Sequence, residues 1–219
     1  MARDESEWQG WQSFGVPLRD DVLFALQQYA SAYGIKMDGF ENTDVDADLI
    51  REALDDCAKV IDRFPELGGT KEQPFTLRAR EMPDTDFAET RKSAPFVISI
   101  NASAFRSKER LESEYARLAE QNWFVHGTDY RSIIFHEFGH LYSFMHRLSG
   151  VRIMKKVSEI HHKKDVLQFI CDNLSEYAAT GSGEITAEAF SAYFGKKDPG
   201  QTVLTFIAEC VKLECGKEG

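Results

Sequence analysis

Apolar residues recur at helical spacing over most of this chain and at strand spacing over two short stretches. Asp20 and Asp21 begin a predicted helix over 20–32, with Val22, Leu23, Leu26, Tyr29 and Ala30 on one face. Residues 34–44 read as loop. A second helix is predicted over 46–64, where Leu49, Ile50, Ala53, Leu54, Cys57, Val60, Ile61 and Phe64 repeat and Pro65 stops the pattern. Residues 75–80 alternate like a half-buried strand, and 96–101 form a β-branched run bounded by Pro95. A charged amphipathic helix over 107–121 turns Leu111, Tyr115 and Leu118 inward. Residues 126–129 read as a turn capping the next helix, which is apolar almost throughout from Tyr130 to Met145. One or two helices follow between Gly150 and Leu174, then a glycine-rich loop at 181–183 and a short helix over 184–194. A closing helix with Pro199 at its first position is predicted to reach about Cys215. Residues 1–19, with two Trp, two Gly and a Pro, read as an irregular arm. No internal repeat is visible. The order of elements predicts an α+β fold, mostly helical, with a short sheet ahead of the apolar helix.

At 219 residues and 42 % hydrophobic, the chain has enough apolar surface for one core. We read 1–66 as an acidic helical part packed on the same domain as 67–219. The first 66 residues hold six Lys/Arg against fifteen Asp/Glu, nearly the whole of the net charge of −10. Nucleic acid is therefore an unsuitable partner, since its phosphates need a cationic footprint. No apolar run approaches the length of a membrane span, and the acidic start lacks a signal-peptide layout. Cys57, Cys171, Cys210 and Cys215 have no metal-pair or disulfide-framework spacing, which fits reduced thiols and a cytoplasmic setting.

The chemistry concentrates in His136-Glu137-Phe138-Gly139-His140. Histidines at i and i+4 on a helix share a face, so their imidazoles can grip one zinc ion. Glu137 is rotated about 100° from His136, which sets its carboxylate beside the metal, where it can take a proton from the attacking water. A glycine inside a helix costs about 1 kcal/mol relative to alanine, so Gly139 predicts that another segment packs closely there. Catalytic zinc needs a third protein ligand. His146 lies six residues past His140 and projects about 120° away from it, so it is not read as that ligand. His161 and His162, among lysines, read as a solvated face, and His126 reads equally as a contact to substrate or to the metal's surroundings and as part of the capping turn. Glu184 and Glu188, again at i and i+4, share a helix face. One of the two can bind the metal while the other accepts the distal N–H of a ligating histidine.

The segments His136–His140 and Tyr177-Ala-Ala-Thr-Gly-Ser-Gly-Glu184-Ile-Thr-Ala-Glu188-Ala-Phe190 resemble the catalytic domain of anthrax lethal factor and its relatives. Those relatives include protease-like domains encoded by phages and mobile elements. In that family an HExGH helix is followed, some forty-five residues on, by Tyr-x6-Glu-x3-Glu-Ala-Phe; here His140 and Glu184 are 44 residues apart. The likeness covers about residues 95–195, and Ile185-Thr186 stands where the family carries an aromatic pair. The resemblance implies a small zincin-like domain of the gluzincin kind, with zinc ligands His136, His140 and Glu184. It further implies Glu137 as general base, Glu188 as the supporting carboxylate and Tyr177 as a phenol donor to the oxyanion. The expected activity is zinc-dependent hydrolysis of a peptide or protein substrate. In such a layout residues 97–100 would pair at a sheet edge with an extended peptide. Two other readings compete: a structural zinc-binding component of a phage or mobile element, and a helical interaction module without metal.

Overall fold

The computed structural model describes residues 19–41, 43–91, 93 and 95–215, so the expected N-terminal arm lies, but for Arg19, outside the described residues. Helix α1 (Asp20–Ala32) carries Asp20 and Asp21 in its first turn, where carboxylates suit the positive end of the helix dipole. Its chain then turns through Gly34, at φ 69°, into β1 (Lys36–Asp38). The loop expected over 34–44 therefore contains a strand. Three residues between two glycines are too few to show an alternation. Helix α2 (Ala47–Arg63) starts at Asp46, whose side chain accepts the N–H groups of Asp48 (2.9 Å) and Leu49 (3.3 Å). Pro65 opens a short 3-10 turn, Pro65–Gly68.

Three further strands complete one sheet: β2 (Thr76–Arg80), β3 (Ala88–Arg91) and β4 (Val97–Asn101). The order is β1-β2-β4-β3, with β1, β2 and β4 parallel and β3 antiparallel to β4. All five residues of β4 are buried, polar Ser99 and Asn101 among them, as suits a strand covered on both faces. β4 is an interior strand, with both its ladders taken by β2 and β3. The expectation that residues 97–100 offer a free edge is thus wrong. β3 is the edge on that side, and Ala88-Glu89-Thr90-Arg91 has too little apolar content to announce itself. Buried Asn101 shapes the approach to β3. Its amide donates to the carbonyls of Pro83 (3.0 Å) and Asp86 (2.8 Å), and its oxygen accepts Ser103 N–H (3.1 Å).

The second half is helical: α3 (Lys108–Glu120), α4 (Ser132–Met145), α5 (Gly150–Ile160), α6 (Val166–Asn173), α7 (Ser182–Gly195) and α8 (Gln201–Cys215). Three boundaries differ from the sequence reading. The residue before α4 is Arg131, with no capping side chain; Asp129 instead accepts the Arg131 N–H at 3.0 Å, one step ahead of the helix. Ser182 and Gly183 belong to the first turn of α7 rather than to a loop. Pro199 precedes α8 by two residues, and the first helical position is Gln201. One hydrophobic core runs from Leu23 and Leu26 of α1 to Phe206 and Cys210 of α8, so the acidic first part shares it. At its centre Phe64 stacks on Phe190 (5.4 Å between centroids) and leans on Tyr142 (5.1 Å). Cys57, Cys171 and Cys210 are free thiols. Among the described residues, no helix is long and apolar enough to cross a membrane.

Candidate metal centre

Two helices build the site, and a glycine lets them meet. A Cβ on Gly139 would stand 2.5 Å from Ala187 Cα and 2.8 Å from Thr186 O. Only a hydrogen fits there, so α7 lies directly against α4 between the two histidines of the motif. Three residues before Ala187 stands Glu184, and one residue after it stands Glu188. The contact therefore brings both carboxylates to the imidazoles.

Glu184 Oε2 lies 3.3 Å from His136 Nε2 and 3.3 Å from His140 Nε2. One ligand atom from each of the three residues falls within 4.8 Å of the others, an arrangement that could hold a metal ion. Glu184 Oε2 is also buried without a hydrogen-bond partner, a costly state for a carboxylate oxygen. The residues fit a zinc ion. Tetrahedral bonds of about 2.0–2.1 Å set neighbouring donor atoms about 3.3–3.4 Å apart, the separation of Glu184 Oε2 from each imidazole nitrogen. Electrostatics point the same way. Burial would lower the pKa of His136, but Glu184 and Glu188 outweigh it and push the ring up to about 10. Burial likewise acts against ionisation of Glu184, yet the two imidazoles hold it well below the usual carboxylate range. The cluster is organised around positive charge.

Glu188 sits behind this cluster. Its Oε1 is 2.7 Å from His136 Nδ1, and its Oε2 accepts a hydrogen bond from Ser175 Oγ at 2.7 Å. With Nδ1 donating to Glu188, Nε2 is the nitrogen left facing Glu184 and the one a metal ion would take in place of a proton. Glu137 is buried at 6 % exposure, and its Oε2 accepts from the Thr90 hydroxyl on β3 at 2.6 Å. Tyr177 stacks on His136, with ring centroids 5.7 Å apart and planes 20° from parallel, and Trp123 packs behind it. Burial first, then Glu184, Glu137 and Glu188, push its phenol up to about 12, so it stays protonated at neutral pH. A cavity of about 340 Å³ opens onto His136, Glu137 and Tyr177, floored by Phe87 and Phe124.

The residues read from the sequence as a site thus lie together. Those set aside lie elsewhere. His146 packs on Tyr142 and sits 3.7 Å from Glu66, while His126 and His162 are exposed. His161 is half-buried near Phe169 rather than fully solvated. Thr90 and Ser175 were not foreseen. Ser175 could have been noticed as a hydroxyl two residues ahead of the turn at Tyr177–Thr180, where it accepts Ala178 N–H at 3.0 Å. Nothing in the local sequence ties either residue to a carboxylate so distant along the chain. Comparison with protein-family models, curated proteins and solved structures yields no match.

Proposed function

We propose that this chain is a zinc-dependent peptidase with a zincin-like fold. The observation that carries the reading is the orphaned Glu184 Oε2, equidistant from two imidazole nitrogens, one of them on His136, which lines a cavity together with Glu137 and Tyr177. Two nitrogens and one carboxylate oxygen are a donor set that suits zinc and leaves a position for the reaction. His136, His140 and Glu184 would hold the ion. When bound, zinc supplies a Lewis acid that polarises a carbonyl and acidifies water.

The chain's own residues do the rest. The Thr90 hydroxyl fixes one oxygen of Glu137, and the other takes the proton of the attacking water and hands it to the departing amine. Tyr177, protonated and stacked beside the metal residues, donates its phenol hydrogen to the developing oxyanion. β3 supplies a sheet edge along which an extended substrate aligns its backbone. The resemblance of residues 136–140 and 177–190 to the lethal-factor catalytic domain supports the same assignment. The open cavity at Glu137 favours hydrolysis over a purely structural zinc site, which closes its metal with four protein ligands.

The test is direct. Protein purified with zinc should carry about one ion per chain and cleave peptides from a mixed library, with activity removed by a chelator. Glu137→Gln should keep the zinc and lose the hydrolysis. A Glu137→Gln protein that cleaves as fast as the wild type rules out the mechanism.

A further inference from the structure

The candidate centre lies between two cavities, and β3 joins them. Ala88, at the start of β3, lines the cavity that contains Glu137. Arg91, at its end, pairs with Val97, next to Phe96. Phe96 lines a second groove of about 680 Å³ on the far side of the metal residues, together with His140, Phe144 and Arg147. An extended chain laid along β3 therefore passes from the first cavity, over Glu137 and the imidazoles, into this groove.

The two ends differ in charge. Asp84 and Asp86 are exposed at the first end. Arg91 and Arg147 are exposed at the second, where Arg147 also lines an adjoining cavity of about 210 Å³ with Arg152, Lys156 and Glu209, the last two paired with each other. Among the described residues no acidic side chain pairs with Arg147 or Arg152. Residues 147–164 hold six Lys/Arg against one Asp/Glu, in a chain whose net charge is −10. Arg147 stands at φ 52°, directly after the C-cap of α4.

We propose that this cleft binds an extended polypeptide whose acidic residues lie at the His140 end, where Arg147 receives them. The proposal deepens the peptidase reading and rests on it. The apolar wall formed by Phe96 and Phe144, the latter 46 % exposed, takes a bulky side chain, and the unpaired guanidinium selects the charge beside it. The opposite end, bearing Asp84 and Asp86, disfavours acidic residues there.

The experiment uses capped fluorescent peptide pools, identical except that one half of each carries Glu, Gln or Lys. Blocked termini keep free carboxylates off the metal. Anisotropy titration onto zinc-loaded Glu137→Gln protein should show the Glu pool binding about tenfold more tightly than the Lys pool when the charge lies on one side only. Added salt should shrink the ratio. Adding Arg147→Glu should erase or invert it, and Arg147→Ala should reduce it, both at unchanged zinc content. Hydrolysis of the same pools by the unmutated chain tests the underlying activity separately. Cleavage without any charge preference in binding overturns the polarised cleft and keeps the peptidase. A one-sided preference for Glu without cleavage of any pool keeps the cleft and overturns the peptidase. An oligonucleotide that displaces the Glu pool at lower concentration than the pool itself overturns the polypeptide occupant.

Discussion

Glu188 makes two hydrogen bonds at once, to His136 Nδ1 and to Ser175 Oγ, at 1 % exposure. Glu188→Gln keeps the shape but leaves one carbonyl oxygen to serve both partners. Its zinc affinity should fall about 10–100-fold, as loss of a carboxylate behind a ligating histidine generally does. Competition with a chromophoric chelator measures this, and affinity within twofold of the unmutated protein would remove Glu188 from that role. At this scale the sequence was informative wherever a single helix sets the spacing. His136, Glu137 and His140 lie on α4, and Glu184 and Glu188 lie on α7. Local geometry could narrow the third donor to two carboxylates and no further, because the choice depends on how α7 docks. Thr90 and Ser175 were illegible for the same reason: their partners lie 47 and 13 residues away and are met only in the folded chain.

At the level of elements, the contact of α4 with α7 decides whether the site exists. Gly139→Ala places a methyl 2.5 Å from Ala187 Cα, so the helices must part by about an ångström to reach ordinary contact. Overpacking of this kind costs about 1–3 kcal/mol. Urea denaturation should show that loss, and zinc titration should show weaker binding, since the parting carries Glu184 away from the imidazoles. Unchanged stability would mean that α7 shifts freely over α4. The glycine was a correct sequence signal because its helical cost demands a reason. Long amphipathic helices such as α2 were equally legible, their apolar positions repeating over several turns. β1 and β3 were not. Each has three or four residues and little apolar content, and each is recruited by the register of a neighbour rather than by its own pattern. Missing β3 also misplaced the sheet edge onto β4.

For the molecule as a whole, the donors are divided between helices whose ligands stand 44 residues apart in sequence yet share one core. Only the folded chain assembles them, so a bound ion stabilises the native state alone. With free zinc about 100-fold above its dissociation constant the gain is about 2.7 kcal/mol. At about 2–4 °C per kcal/mol for a chain of this size, the melting temperature should rise by about 5–10 °C over chelated protein. Scanning calorimetry checks this, and coincident melting curves would deny the chain a zinc site that forms on folding. The α+β class followed from composition and element order, whereas the strand order did not.

The open side of β3 has one more consequence. A strand with a ladder partner on one side alone among the described residues invites its own kind as readily as a guest, and a second copy could zip onto it and start a fibre. Four residues are a short template, and Glu89 and Arg91 are both exposed along it. Such brevity and alternating charge are common defences against runaway self-association. Replacing this pair with valines would extend the template and should make the protein prone to precipitate.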